Sequence, residues 1–118
     1  HTVGDQVLVE VVRRVHNTLR SEDVFARYGG EEFVVIMRGI TLKEAEKASK
    51  RILSAVGSRP IGTDKEDIHV GVSIGVANFS SANEHTATEL LTQADALLYQ
   101  AKEQGRNCVV CSSPELPT

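Results

Sequence analysis

Residues 68–77 alternate apolar side chains with small or polar ones, and this alternation limits the fold more than any other feature of the sequence. The apolar positions Ile68, Val70, Val72, Ile74 and Val76 are followed in turn by His69, Gly71, Ser73, Gly75 and Ala77. A period of two predicts a long β-strand with one face in the core. The glycines predict that another element packs closely on this strand or that the strand bends.

Three other segments have apolar residues at the spacing of an amphipathic helix, namely residues 4–19, 42–56 and 87–101. In the first segment, Arg13, Arg14 and His16 fall largely off the apolar stripe. The second and third segments begin with the T-x-x-E pattern of a capping box, at Thr41 and Thr86. Glycines that follow these segments, Gly57 and Gly105, predict where the two helices end.

Shorter runs of strand-forming residues predict three further strands, at residues 24–28, 32–37 and 107–111. The first two are joined by Gly29-Gly30, which is typical of a two-residue hairpin loop. Residues 59–67 and 80–85 are expected to be loops, and the first has room for a short strand pair. Residues 112–118 are expected to form a flexible tail.

The predicted order is αββαβαβ, and one more strand before residue 1 would give the βαββαβ order of ferredoxin-like and palm folds. We therefore expect an α/β (α+β) domain over residues 1–111, with a central, mostly antiparallel sheet and flanking helices. Since the sequence begins with His1 and not Met, we expect a cut or processed piece that lacks the first strand. A neighbouring strand edge would then be unpaired.

The composition is that of one globular domain, with 118 residues, 41% hydrophobic and 25% charged. A net charge of −3 argues against a protein that coats nucleic acid. No apolar run approaches the roughly 20 residues of a membrane span, and no signal peptide is recognised, so we expect a cytoplasmic domain. Cys108 and Cys111 lie in a strand-like run and are expected to be reduced thiols, not a redox or metal motif.

The predicted hairpin tip, Tyr28-Gly29-Gly30-Glu31-Glu32-Phe33, is the part of the sequence with the most chemistry. Two glycines allow a ligand to approach the backbone and leave N–H groups for an anion. Because side chains alternate along a strand, Glu31 and Glu32 should point to opposite faces. A carboxylate beside such a turn suits a divalent cation that holds phosphate oxygens. The alternative is a solvated hairpin with two surface acids.

Four blocks of sequence resemble, in the same order, the motifs of the GGDEF family of diguanylate cyclases, in its GGEEF form. The blocks are His1–Leu8 (similar to H-x-x-G-D-x-x-L), Arg27–Phe33 (R-[FY]-G-G-[DE]-E-F), Ser73–Ala77 (S-x-G-x-A) and Ala94–Asn107 (A-D-x-A-[LM]-Y-x-A-K-x-x-G-R-N). Together they extend over nearly the whole chain. The resemblance implies the nucleotidyl-cyclase palm as the fold.

Members of this family condense two GTP molecules into cyclic di-GMP and pyrophosphate, with one GTP on each protomer of a dimer. The resemblance implies that Glu31 ligates Mg²⁺ (or Mn²⁺) close to the attacking 3′-hydroxyl, and that Glu32 supports the same centre. It also implies that Gly29 and Gly30 let the hairpin approach the phosphates.

The remaining substrate contacts implied by the resemblance lie at the two ends of the chain. Asp5 would accept hydrogen bonds from the guanine edge, Leu8 would lie against the base, and His1 belongs to the same block. The resemblance implies that Lys102 and Arg106 hold the terminal phosphates. Their spacing agrees with this, because residues four apart at a helix end lie on one side. Without the other blocks, these two cations would be explained by the helix macrodipole alone.

Arg20 and Asp23 form an R-x-x-D pattern that is followed by five residues and then Gly29. In the family this spacing marks a product-inhibition site, which implies that Arg20 binds guanine or phosphate of cyclic di-GMP and Asp23 a guanine edge. Arg51, on the next helix, falls where some members supply another arginine. The alternatives are a solvated charge cluster at a helix end and a solvated arginine on a helix face.

The chain departs from the family pattern at its start. The D-x-D and F-K-x-x-N-D segments, which precede the histidine and supply a second metal-binding Asp, a guanine-binding Asn and a Lys, are absent from the sequence. We therefore expect the isolated chain to be inactive or nearly so.

Three functions remain open: an active diguanylate cyclase, a catalytically silent receptor for cyclic di-GMP or GTP, and a related palm enzyme with another product. Asp5 as a guanine acceptor speaks against an adenine nucleotide. The expected partners are a second copy of the domain and an upstream sensor or receiver domain. The upstream region could also tether the parent protein to a membrane.

Overall fold

The computed structural model describes residues 2–78 and 86–112. The helices are α1 (Val3–His16), α2 (Leu42–Gly57) and α3 (Ala87–Glu103). The strands are β1 (Val24–Gly29), β2 (Glu32–Ile36), β3 (Ile61–Gly62), β4 (Asp67–Ile68), β5 (Ile74–Val76) and β6 (Val109–Cys111). The three predicted helices are confirmed in their predicted order among the strands, and two short strands, β3 and β4, are added between α2 and β5, where the sequence left room for a short strand pair. The predicted loop 80–85 and residues 113–118 of the predicted tail lie outside the described residues.

Capping boxes start all three helices. The two predicted boxes, at Thr41 and Thr86, are present, and α1 has a third at Thr2. In each box the threonine hydroxyl accepts a hydrogen bond from the N–H three residues later, and the acidic side chain there accepts one from the threonine N–H. α1 ends at His16, three residues before its predicted end, because the chain turns at Asn17.

The strands form three separate two-stranded ladders within the described residues, not one continuous sheet. The pairs β1–β2 and β3–β4 are antiparallel, and β5–β6 is parallel. The predicted strand over residues 68–77 is wrong in its extent, since only its two ends lie in ladders, as part of β4 and as β5. Val70 and Val72 still pack against the core, which explains the alternation. Alternation reports which side chains face the core, whereas a ladder also needs a neighbouring strand.

The core lies where α1 and α2 pack against each other and against the strands. Its buried centre consists of Val11, Val15, Ile52, Val56 and Ile61. Partly buried residues surround this centre, namely Val7, Leu19, Phe25, Met37, Val70, Val72 and Ile74. Its most deeply buried members are Val56, near the end of α2, and Ile61, at the start of β3, which are 0% and 1% exposed.

Arg14 of α1 is buried, although the helical pattern places it largely off the apolar stripe. Its residue exposure is 6%. Its guanidinium donates to the carbonyl oxygens of Val56 at 2.8 Å, Arg59 at 2.7 Å and Pro60 at 2.9 Å. Nε also donates to the Glu10 carboxylate at 2.8 Å. The charge therefore satisfies one carbonyl in the last turn of α2, where a cation is also favoured by the helix dipole, and two carbonyls of the residues that follow the helix.

Gly75 in β5 is the contact point between α3 and the strands. A Cβ at this position would lie 2.3 Å from the Leu98 nitrogen and 2.4 Å from the Ala94 oxygen. Both are backbone atoms of α3, so no side-chain rotation could relieve the overlap. The predicted close packing of another element against a strand glycine is confirmed here.

The buried position of Arg14 predicts a large loss of stability for Arg14→Ala, of about 3 kcal/mol, because three carbonyl oxygens would lose a charged donor. The control is Arg13→Ala. Arg13 binds the same Glu10 carboxylate at 2.6 Å, but its side chain is 53% exposed, so we expect a loss below about 1 kcal/mol. Urea unfolding followed by circular dichroism measures both. Equal losses would contradict the anchoring role of Arg14.

The low pKa of Glu10 predicts that the fold loses stability in acid. Hydrogen bonds from Arg13 and Arg14 lower the pKa of Glu10 from 4.5 to about 2. A carboxyl with a depressed folded-state pKa stabilises the protein above its unfolded-state pKa, and this contribution is lost as the pH falls from 4.5 towards 2. Glu10→Gln should therefore be less stable than the unaltered chain at pH 6, and the difference should shrink at pH 3. A difference in urea midpoint that is the same at both pH values would refute this.

Candidate active site

The hairpin between β1 and β2 turns one residue later than predicted. Gly29 pairs with Glu32, so the two turn residues are Gly30 and Glu31, not Gly29 and Gly30. The register shifts between Arg27 and Gly29, and such a bulge moves the turn by one residue. Gly30 has a φ of +28°. The glycine is needed at the turn itself, and the first acid of the motif lies at the tip.

Arg27 holds the backbone of this tip. Its guanidinium donates from Nε to the Gly30 carbonyl oxygen at 2.8 Å, and Nη2 donates to the same oxygen. Arg27 lies in the motif block Arg27–Phe33, but the motif alone does not indicate this role. Sequence spacing does not give the register of the hairpin. It therefore cannot predict that a side chain three residues away contacts a carbonyl of the turn.

Glu31 is exposed in the turn and Glu32 is half-buried at the start of β2. Neither carboxylate makes a hydrogen bond or ion pair within the described residues. The expected alternation does not apply to this pair, because only Glu32 belongs to the strand.

Residues 2–78 and 86–112 contain no group of three or more His, Cys, Asp or Glu side chains that would hold a metal ion. Mg²⁺ is often held by only one or two carboxylates together with substrate phosphates. The free carboxylates at the tip fit that kind of site.

At the start of α1, Asp5 serves first as part of the helix cap. Its carboxylate accepts a hydrogen bond from the Thr2 N–H at 3.4 Å through Oδ2, and its own N–H donates to the Thr2 hydroxyl at 3.1 Å. Asp5 is exposed and Leu8, one turn later, is half-buried. The predicted site residue His1 lies outside the described residues. The cap therefore fixes the backbone at Asp5 and leaves its Oδ1 without a hydrogen bond among the described residues.

A pair of hydrogen bonds ties this end of α1 to the loop between β3 and β4. The Gln6 side-chain amide donates to the Asp64 carboxylate at 3.1 Å, and its oxygen accepts the Asp64 N–H, also at 3.1 Å. Sequence reasoning gave no sign of this contact, since the residues are 58 positions apart. The contact holds the helix end that carries Asp5.

Lys102 and Arg106 lie near the C-terminal end of α3. Contrary to the prediction, they do not belong to one helix. α3 ends at Glu103, and Arg106 follows it in a turn with φ +66°. The relation between the two cations therefore depends on this turn, not on helical spacing. Neither side chain makes a hydrogen bond or ion pair within the described residues, so both charges are available to an anion.

The structure brings Arg20 and Asp23 together. Asp23 accepts hydrogen bonds from the Arg20 N–H at 2.8 Å and from its Nη2 at 3.2 Å, and the Asp23 side chain is only 1% exposed. Arg20 also pairs with Glu22 at 3.1 Å. A cavity of about 420 Å³ opens beside them, lined by Val12, His16, Leu19, Arg20, Ser21, Asp23 and Phe25. Arg51 is exposed on α2 and does not line this cavity.

The two cysteines have separate partners and no disulfide joins them. The Cys108 thiol donates to the Ala101 carbonyl at 3.3 Å, and the Cys111 thiol to the Glu46 carboxylate at 3.5 Å. Burial, together with the Glu46 carboxylate, raises the pKa of Cys111. Both cysteines are free thiols, which agrees with the predicted reduced state. Among the described residues, no helix has both the length and the apolar character needed to cross a membrane.

Comparison with known proteins finds diguanylate cyclases among the similar sequences and structures. Diguanylate cyclase A of Treponema denticola is 38% identical over 117 residues, which are 99% of this chain and 31% of that protein. The chain thus spans about a third of this curated relative. The structure of diguanylate cyclase SiaD from Pseudomonas aeruginosa, in complex with its activator SiaC, matches with a TM-score of 0.87 and 32% identity, over 95% of this chain and 42% of that one.

The GGDEF domain of DgcB from Caulobacter crescentus, solved in complex with c-di-GMP, matches with a TM-score of 0.86 and 31% identity, over 94% of this chain and 66% of that one. These matches confirm the predicted α+β cyclase fold. The sequence model of the family described as diguanylate cyclase, GGDEF domain, matches residues 1–108. With nearly the whole chain matched in both sequence and fold, the chain belongs to the GGDEF domain family of diguanylate cyclases.

Proposed function

We propose that the parent protein of this domain is a diguanylate cyclase that converts two GTP molecules into cyclic di-GMP and pyrophosphate. The observation that carries the proposal is the intact hairpin tip, where the exposed Glu31 carboxylate has no partner among the described residues. A receptor that had lost catalysis would have no need for an undamaged tip. The relatives named as diguanylate cyclases support the same activity.

The proposed reaction is a phosphoryl transfer that needs positioning and charge neutralisation more than covalent help from the protein. The 3′-oxygen of each GTP bonds to the α-phosphorus of the other. At each of the two phosphorus atoms the bond to the bridging oxygen breaks, one pyrophosphate leaves, and the proton of the attacking hydroxyl passes to a nearby carboxylate, for which Glu31 is the candidate. Glu31, supported by Glu32, would hold Mg²⁺ or Mn²⁺, which neutralises phosphate charge when bound.

The other residues proposed for substrate binding include two glycines beside open space and two cations without a partner among the described residues. A Cβ at Gly29 or Gly30 would meet no atom within 4 Å, so the outside of the tip is open to phosphates. Asp5 and Leu8, with His1, are proposed to bind guanine. Lys102 and Arg106 are proposed to hold the terminal phosphates, as free cations at the end of α3.

Dimerisation and regulation belong to the same proposal. One GTP per domain supplies only half of the product, so two copies must face each other during catalysis. Arg20 and Asp23, beside their cavity, are proposed to bind cyclic di-GMP and inhibit the enzyme. Arg20 would then exchange its contacts with Asp23 and Glu22 for contacts with the product. An upstream sensor or receiver domain is the proposed source of control.

The role of Glu31 is tested in the full-length natural protein with GTP and Mg²⁺, by chromatography of the nucleotides. Glu31→Ala should lower the rate of cyclic di-GMP formation by at least about 100-fold, the usual scale for a lost electrostatic group at a reacting centre. Glu31→Asp, which gives the alternative acid of the family motif, should keep most of the activity. Glu66→Ala removes another exposed acid, in the β3–β4 loop, and should have little effect.

If the unaltered protein makes no cyclic di-GMP but binds it, the parent is a receptor and the proposed activity is wrong. If Glu31→Ala forms cyclic di-GMP at the rate of the unaltered protein, the proposed activity is correct but the proposed role of Glu31 is wrong.

Product inhibition is tested by the ratio of initial rates with and without added cyclic di-GMP. Arg20→Ala should raise the concentration needed for half-inhibition by about tenfold or more, because a guanidinium–phosphate or guanidinium–guanine contact is lost. Arg59→Ala is the matched control, since Arg59 is an exposed arginine that does not line the cavity. Half-inhibition at the same concentration in Arg20→Ala and in the unaltered protein would place the regulatory site elsewhere.

A further inference from the structure

The turn after α3 has an uncommon backbone. Gly105, Arg106 and Asn107 have φ values of +107°, +66° and +49°, and the last two are the only non-glycine residues with positive φ in residues 2–78 and 86–112. A left-handed conformation is unfavourable for most residues with a Cβ, although asparagine tolerates it. Such a conformation persists only where its surroundings hold it, and it is often found at functional sites.

Backbone hydrogen bonds hold the first part of the turn. The Gly105 N–H donates to the Lys102 carbonyl at 3.3 Å and the Arg106 N–H to the Ala101 carbonyl at 3.0 Å. This is the Schellman pattern that ends many helices. The pattern explains the positive φ of Gly105. It does not explain why Arg106 and Asn107 remain left-handed.

Asn107 is held by residues 69–73, the segment before β5. Its N–H donates to the Ser73 hydroxyl at 3.2 Å. A Cβ on Gly71 would lie 2.7 Å from Oδ1 and 3.0 Å from Cγ of Asn107, whereas one on Gly57 would lie 4.0 Å from Oδ1. The Asn107 amide therefore occupies the space that Gly71 leaves free.

We infer that Asn107 is a positioning residue for Arg106, and that Gly71 and Ser73 are its supports. The inference rests on the proposed function, in which Arg106 binds a nucleotide phosphate. Because the Arg106 side chain has no hydrogen bond within the described residues, the backbone of the turn determines the direction in which it leaves the chain. A planar guanidinium binds phosphate best when its two N–H groups are correctly directed.

The test uses the full-length natural protein and measures kcat and KM for GTP, together with the midpoint of thermal unfolding. Gly71→Ala displaces the Asn107 side chain, and Gly57→Ala is its matched control because its added methyl group meets only ordinary contacts, 3.7 Å or more away. We expect Gly71→Ala to lower kcat/KM about tenfold, mainly through KM, and Gly57→Ala to change it less than twofold.

A second pair separates the backbone from the side chain. Glycine adopts the left-handed region readily and alanine does not, so Asn107→Ala should lose more kcat/KM than Asn107→Gly. Both are repeated in the Arg106→Ala background. If Asn107 acts through Arg106, Asn107→Ala should lower kcat/KM about tenfold in the otherwise unaltered protein and less than twofold in the Arg106→Ala background, as expected for coupled residues.

The outcomes are distinguishable. An Asn107→Ala effect that is equally large with and without Arg106 would overturn the inference and leave the proposed cyclase intact. So would Gly71→Ala and Gly57→Ala variants with equal KM values. If the unaltered protein forms no cyclic di-GMP, the proposed function fails and the inference fails with it. A lower unfolding midpoint without a change in KM would assign Asn107 a purely structural role and also overturn the inference.

Discussion

The guanidinium of Arg14 joins two parts of the fold that lie far apart in the sequence. It lies between α1 and the residues that lead from α2 into β3, and it donates to carbonyls of Val56, Arg59 and Pro60. A buried charge is tolerated only when its hydrogen bonds are satisfied. Here they are, and no buried side-chain nitrogen or oxygen lacks a partner in the described residues. The direction of α1, and so the position of Asp5 at its start, depends on this contact.

Local signals predicted the helices and their starts, and the structure confirms them, because capping and amphipathic spacing act over a few residues. The burial of Arg14 could not be predicted from local signals. Its hydrogen-bond acceptors are 42–46 residues away, and the spacing of apolar residues within one helix gives no information about them. The strand over residues 68–77 was too long because alternation records burial and not pairing. The hairpin turn was displaced by one residue because a bulge leaves no mark in an apolar pattern.

The candidate site was predictable in its residue types but not in its geometry. The motif blocks identified Glu31, Lys102 and Arg106, and the structure shows all three side chains without partners in its described part. The blocks did not predict that Glu31 lies in the turn, that Arg27 holds the tip, or that Arg106 follows the helix in a left-handed conformation. Each of these depends on hydrogen bonds or backbone angles that appear only when the chain is folded.

The contact at Gly75 has a mechanical consequence for the end of the domain that carries Lys102 and Arg106. Backbone atoms of β5 and α3 meet there with no side chain between them, so α3 cannot slide or rotate by one residue without bringing a bulkier neighbour of Gly75 into the gap. β6 pairs with β5 directly after the turn at Arg106. A displacement of the α3 backbone at this contact would therefore have to carry β5, and with it β6, in the same direction. The side chains of Lys102 and Arg106, which make no hydrogen bond or ion pair within the described residues, can change direction without such a displacement.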